Sequence, residues 1–286
     1  MQTIEPIHAE IEQRRIGVTF GDGSLRWRLA RVRLTRQMHQ SGWFTRIEAY
    51  DSQKSVLEID DFPTQFLDRT EVATRGYGYW AWRPFILKHW LLRLKPSDVL
   101  VFLDSGCELN INEISSARFD YYCQTAIENG ICIMQIENRL GDWCKADLIQ
   151  ELAITEAQKD AKLMEPGVMF LSPQPWVMKL VSDWVNLSTA ENMHLLDDSP
   201  SKIPEDPDFI EHRHDLALLS SLLVQLGKVG IPQETYFPNK WRSEGVKFPC
   251  WVVRNSTPFL LEQDRVTSQT LRMARHYWHW LNRNRH

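Results

Sequence analysis

The chain has 286 residues, enough to bury a large core, and its 43% hydrophobic and 24% charged fractions are those of an ordinary globular protein. A net charge of −4 and a pI near 6.2 give no overall attraction for nucleic acid, so no DNA or RNA partner is expected. The five cysteines are odd in number, widely spaced and free of any C-x-x-C pair, which argues against a disulfide framework or a zinc knuckle.

Arg15–Phe20 (RIGVTF) is a β-branched apolar run that predicts a strand; it meets Gly21-Asp22-Gly23-Ser24, after which Leu25–Gln40 shows helical spacing through Leu25, Leu29, Val32 and Met38. Phe44–Tyr50 predicts a second strand, so the opening residues form a βαβ unit of the kind that builds parallel sheets. Val56–Thr74 is mixed in pattern. Pro84 suits the first turn of a helix, Phe85–Leu94, which Lys95-Pro96-Ser97 terminates. Val99–Leu103 (VLVFL) is an unbroken apolar run, the pattern of a central parallel strand covered on both faces, and it stops at Asp104-Ser105-Gly106. Asn112–Asn129 reads as helical in its later part, Ile131–Ile136 as a strand, Lys145–Ala153 as a helix, Gly167–Leu171 as a strand and Trp176–Leu187 as a helix. Leu195–Pro207, rich in Pro, Ser and Asp, reads as a surface loop, Leu216–Leu226 as an apolar helix ending at Gly227, and Thr270–Trp280 as a closing helix. These elements predict an α/β fold with a mainly parallel central sheet flanked by helices: an N-terminal extension over 1–14, a main domain over 15–240 and a C-terminal segment over 241–286. The opening residues lack the apolar core of a signal peptide and no run of about 18 apolar residues occurs, so a cytoplasmic location is expected.

Ligands of open α/β sheets sit beyond the carboxyl ends of the strands, which makes Asp104 the first candidate. A carboxylate there can coordinate a divalent cation on a diphosphate, while Ser105 and Gly106 let the backbone approach a bulky ligand; the alternative is an aspartate capping the next turn. Upstream lies Arg75-Gly76-Tyr77-Gly78-Tyr79-Trp80-Ala81-Trp82-Arg83-Pro84. Tyr79 and Trp82 offer faces for a base or sugar and Arg75 and Arg83 charge-assisted hydrogen bonds for a pyrophosphate; the alternative is a Trp-rich core loop with its arginines in solvent. Ala81 occupies the third glycine place of G-x-G-x-x-G, so an NAD site is not expected.

Thr19 and Gly21, at the end of the first strand, are candidates for the same side of the site, or form an ordinary tight turn. Glu211-His212-Arg213-His214-Asp215 is the densest polar cluster. Histidines two apart face one ligand only from a loop or strand; the alternative is that Asp215 caps the helix and the histidines are solvated. Glu137, with Trp143 and Lys145 nearby in sequence, suggests an acceptor subsite in which Lys145 holds a phosphate, against a surface loop opening a helix.

Leu103-Asp104-Ser105-Gly106 after a strand resembles the Asp-x-Asp element of GT-A glycosyltransferases, and the Gly76–Pro84 segment ahead of it resembles a bacterial group of GT-A-like transferases associated with polysaccharide or surface-glycan synthesis. The resemblance implies a Rossmann-like GT-A fold, a nucleotide-sugar donor, a glycan or lipid-linked acceptor and a divalent cation, Mn²⁺ or Mg²⁺. It places Thr19 and Gly21 at the nucleotide base and Asp104 at the metal. The second Asp of the element is Gly106 here, so either Asp104 holds the metal with help from Glu108 or a distant histidine, for which His214 is the candidate, or donor binding needs no metal. His214-Asp215 match a His-Asp-Gln element of that family whose Gln is Leu216 in this chain. Asp215 would contact the transferred sugar or act as base, with Glu137 as a second catalytic carboxylate. Two other readings stay open. One is a metal-dependent phosphoesterase or nucleotidyltransferase, for which a second clustered Asp pair is missing; the other is a degenerate transferase that binds without turnover. The tail Leu271–His286 mixes Arg272, Arg275, Arg283 and Arg285 with Tyr277, Trp278 and Trp280, a pattern suited to resting on an anionic membrane or to packing on the domain.

Overall fold

The computed structural model describes residues 13–64 and 75–258. The expected closing helix and basic tail, most of the N-terminal extension, and the later part of Val56–Thr74 lie outside the described residues. Five strands form one sheet in the order β2-β1-β3-β6-β5: β1 (Arg15–Phe20), β2 (Arg46–Tyr50), β3 (Val99–Leu103), β5 (Ile131–Arg139) and β6 (Lys162–Leu171). β1 pairs in parallel with β2 and β3, while β6 runs antiparallel between β3 and β5, so the sheet is parallel in direction except for β6. A short antiparallel ribbon joins β4 (Glu108–Leu109) to β7 (Cys250–Trp251).

Alternation along β3 explains why its sequence is apolar throughout: successive side chains point to opposite faces, and both faces are covered. Leu100 and Phe102 join a cluster with Ile86 of α4 (Arg83–Leu91), Leu180 and Trp184 of α8 (Pro175–Thr189), and Leu218 of α9 (His214–Gln225). Val99, Val101 and Leu103 join the opposite cluster, with Leu34 and Met38 of α1 (Leu25–Ser41) and Phe119 and Tyr122 of α5 (Glu113–Asn129). The remaining helices are shorter: α2 (Ser52–Glu58), the one-turn α3 (Gly76–Tyr79), α6 (Ala146–Glu151) and α7 (Glu156–Lys159). No helix among the described residues is long and apolar enough to cross a membrane.

The elements differ from expectation in three places. α5 is helical from its start, because Asn112 and Ser115 form a capping box that satisfies the first free N–H groups. β5 continues to Arg139, so Glu137 lies within a strand rather than after one. β6 begins at Lys162, ahead of its apolar run, because Arg139 and Lys162 still pair across an irregular ladder.

Candidate functional site

From β1 the chain crosses through α1 to β2 on one side and later returns to β3 on the other, so a topological switch point lies between β1 and β3, where ligands of such sheets bind. The two strand ends meet closely there. A Cβ on Gly21 would fall 2.7 Å from the Trp27 carbonyl oxygen and 3.1 Å from Ser105 Oγ, a space that only glycine leaves open. The turn after β3 is braced from below by α1: buried Arg33 donates to the carbonyls of Ser105 and Cys107, both at 2.7 Å. Asn255 N–H donates to the Gly106 carbonyl at 2.8 Å, which brings the segment after β7 against the same turn. Thr19 is buried within β1 and its hydroxyl has no hydrogen-bond partner, so it does not reach the strand-end turn as expected; Gly21, Ser105 and Gly106 belong to that turn and are themselves buried.

Arg83 organises the mouth. Its Nη2 donates to Asp104 Oδ1 at 2.7 Å and its Nη1 pairs with Asp215 Oδ2; Arg83 is 1% exposed, Asp104 31% and Asp215 buried. The guanidinium also lies over the rings of Trp82 and Phe102, at 5.3 and 5.2 Å from their centroids. A buried cation is tolerated only when paired and hydrogen-bonded, and here two carboxylates from distant parts of the chain supply that. Asp215 sits in the first turn of α9, where the helix dipole favours a negative charge. It does not cap the helix: the cap position is Arg213, without a side-chain bond.

A further carboxylate, absent from the sequence expectations, joins the cluster. Glu165 Oε1 accepts from Gly167 N–H at 3.1 Å, and Gly167 in turn accepts from Asp104 N–H at 2.8 Å. A Cβ on Gly167 would lie 2.9 Å from Glu165 Oε1 and 3.1 Å from Asp104 Oδ2, so the two carboxyl groups share the space above that glycine. Burial, with the Asp104 charge second, raises the Glu165 pKa above the usual carboxylate range, while the Gly167 N–H and the Arg254 and Arg83 charges oppose the shift.

The Gly76–Trp80 segment forms one wall. Five successive residues have positive φ, from 50° at Tyr77 to 87° at Gly78. For tyrosine and tryptophan a left-handed conformation costs about 1–2 kcal/mol each, and strain of this kind collects at functional sites. The turn is held by Trp82 Nε1–H donating to the Gly76 carbonyl at 3.1 Å. Trp82 itself stacks on Phe20 at 4.0 Å inside the core, which removes it from the expected ligand-stacking role. Tyr79 stays partly exposed, 4.8 Å from the His214 ring between centroids.

His212 and His214 are buried rather than solvated. His214 Nδ1–H donates to the Leu196 carbonyl at 2.9 Å, which leaves Nε2 as a bare acceptor 3.6 Å from Asp198 Oδ1. Burial pushes its pKa down to about 4, against the partial support of the Leu196 carbonyl, so the ring is neutral at pH 7. His212 Nε2–H donates to the Leu195 carbonyl at 3.1 Å. Together the two rings pin the 190s loop to the start of α9. Lys145 completes the clamp: its buried Nζ donates to the carbonyls of His194 at 2.7 Å and Ser199 at 2.8 Å. That engagement corrects the expectation that Lys145 holds an acceptor phosphate.

Around the rim, Arg75 pairs with Asp198 at 3.0 Å and Arg213 with Glu211 at 3.0 Å, while the Arg213 guanidinium lies 4.3 Å over Trp143. Trp143 is therefore covered by a protein cation rather than open as an acceptor platform. Glu137 is 86% exposed and paired with Lys162 at 2.8 Å, so it is not part of the Arg83 cluster and its expected catalytic place has no support there.

The cation implied by the resemblance does not fit this donor set. Gly106 offers no side chain, Asp104 Oδ1 is held by a guanidinium, and His214 Nε2 faces Asp198; among the described residues no three His, Cys, Asp or Glu side chains converge as ligands. The same observation gives no support to a two-metal phosphoesterase.

The sequence matches no protein-family model and no curated protein. Among solved structures the chain is similar to mouse xyloside xylosyltransferase 1 in its apo form, at 13% identity and a TM-score of 0.41 over 82% of this chain and 90% of that one. It is also similar to the galactosyltransferase LgtC in complex with donor and acceptor sugar analogs, at 10% identity and a TM-score of 0.39 over 85% and 83% of the respective chains. Likeness at this level leaves the functional reading to the side chains of the mouth.

Proposed function

We propose that the chain is a GT-A-type glycosyltransferase that moves a sugar from a nucleoside-diphosphate donor to a glycan or lipid-linked acceptor, as in surface-polysaccharide synthesis. The observation that carries this reading is the meeting of Asp104 and Asp215 on Arg83 at the β1/β3 switch point. Sugar transfer needs the diphosphate to leave with its charge neutralised and polar groups fixed beside the anomeric carbon. In this reading Gly21, Ser105 and Gly106 admit the donor's nucleotide, Arg75 and Tyr79 flank the diphosphate, and Asp104, Glu165 and Asp215 surround the transferred sugar. Asp215 and Glu165 are the two candidates for contact with the acceptor hydroxyl.

Calorimetry with a panel of UDP- and GDP-sugars, followed by mass analysis of products formed with glycan and lipid-linked acceptors, tests the proposal. Asp104→Asn is expected to lower kcat/KM at least 100-fold, about 3 kcal/mol of transition-state stabilisation, with the fold retained. If none of the donors binds, the reading is wrong. A second reading, a transferase-like protein that binds donor without turnover, draws on Gly106 and on the engagement of both aspartates with Arg83. Donor binding with no product from any acceptor would select it.

A further inference from the structure

Resting on the transferase reading, we infer that the donor diphosphate is met by guanidinium groups rather than by a divalent cation: Arg83 is the fixed cation of the site, and Arg75 and Arg213 are the phosphate-binding cations of its rim. In an Asp-x-Asp site the carboxylates need an ion to neutralise them. In this chain that need is already met from within, since Arg83 pairs with both Asp104 and Asp215. Any divalent ion bound at Asp104 would sit within a few ångströms of a guanidinium that holds the same carboxylate at 2.7 Å. Arg83 has no room to withdraw, being 1% exposed and packed over Trp82 and Phe102, and leaving its partners would strand a buried charge.

Arg75 and Arg213 differ from Arg83 in exposure and in their partners, while Arg213 shares with it a place over a ring, 4.3 Å from Trp143. They are 39% and 37% exposed, and their partners Asp198 and Glu211 are exposed carboxylates at 3.0–3.7 Å. Exposed pairs of this type contribute little and exchange readily. A diphosphate accepts bidentate bonds from a guanidinium fork that are stronger than those contacts, so the rim arginines can turn from Asp198 and Glu211 to the ligand. The rim lies beside the cluster: Asp198 faces both Arg75 and His214, and His214 adjoins Asp215 in sequence.

Calorimetric titration with UDP and GDP, once in EDTA and once in excess Mn²⁺, provides the test, alongside electron paramagnetic resonance of Mn²⁺ added to the full chain. The inference expects dissociation constants that agree within about threefold in the two buffers, and at least tenfold weaker binding in EDTA for Arg75→Ala combined with Arg213→Ala. Thermal melting of the double variant checks that it folds. Binding at least tenfold tighter with Mn²⁺, or a protein-bound Mn²⁺ signal that Asp104→Asn removes, would overturn the inference and leave the transferase reading standing. Unchanged affinity in the double rim variant also overturns it. Absence of nucleotide and nucleotide-sugar binding in both buffers removes the transferase reading itself, and this inference with it.

Discussion

Arg83 sets the chemistry of the mouth because a guanidinium this deeply buried has to be answered by anions. Removing one of them leaves an uncompensated charge, so Asp215→Ala is expected to cost about 3 kcal/mol of stability in urea unfolding. Asp104→Asn should cost clearly less, since Asp104 is one-third exposed and water replaces the lost charge. The double variant Arg83→Met, Asp215→Leu should recover most of the loss, as apolar replacement of a buried pair commonly does; no recovery would mean that Asp215 holds the fold by some other contact. Asp104 was legible in the sequence because it follows the most apolar strand of the chain. Glu165 was not. It lies in the first half of β6, ahead of the apolar run Gly167–Leu171, and only because β6 runs against β3, with Leu103 opposite Val168, does it come beside the residue that follows the end of β3.

The left-handed turn at Gly76–Trp80 and the pinned loop after α8 are the segments whose local conformation is least ordinary. A Cβ on Gly76 would fall 2.3 Å from the Trp80 ring and would also be forced to positive φ, so Gly76→Ala should destabilise by about 2 kcal/mol or more in thermal melts. Replacement of Trp80 by glycine should be milder, since it relieves backbone strain while losing only a partly buried ring. Sequence patterning offered Gly76–Pro84 as a ligand-binding segment or a Trp-rich core loop and carried no sign of positive φ at Tyr77, Tyr79 and Trp80. Leu195–Pro207 read correctly as a loop, yet nothing in it announced that Lys145, His212 and His214 grip its carbonyls. Lys145→Met is expected to release that loop, seen as a large rise in its proteolysis and in amide exchange around Ser199, with the sheet protected as before. Equal protection in the variant would show that the loop is held without the lysine.

Two buried neutral histidines also make the stability of the protein depend on pH. The His214 pKa is about 4 when folded and near 6.5 in the unfolded chain, and His212 is shifted the same way. The unfolded state therefore takes up protons first as pH falls, so the stability is full above about 6.5 and is lost progressively down to about 4. For His214 alone the loss approaches roughly 3 kcal/mol at the bottom of that window. Urea midpoints measured from pH 7 to pH 5 should fall, and His214→Gln should flatten the slope; a midpoint independent of pH would contradict burial of the neutral rings. The sequence by itself determined the α/β class, the central strand and the position of Asp104, because each follows from hydrophobic periodicity and from where a run of apolar residues stops. It also gathered Arg83, His214 and Asp215 as candidates for one donor site, without showing that Arg83 would pair with both Asp104 and Asp215. Which of these meet, that Trp82, Thr19 and Lys145 face inward, and that Glu165 belongs with Asp104 were decided by strand direction and packing. Those depend on contacts between residues far apart along the chain, to which local pattern is blind.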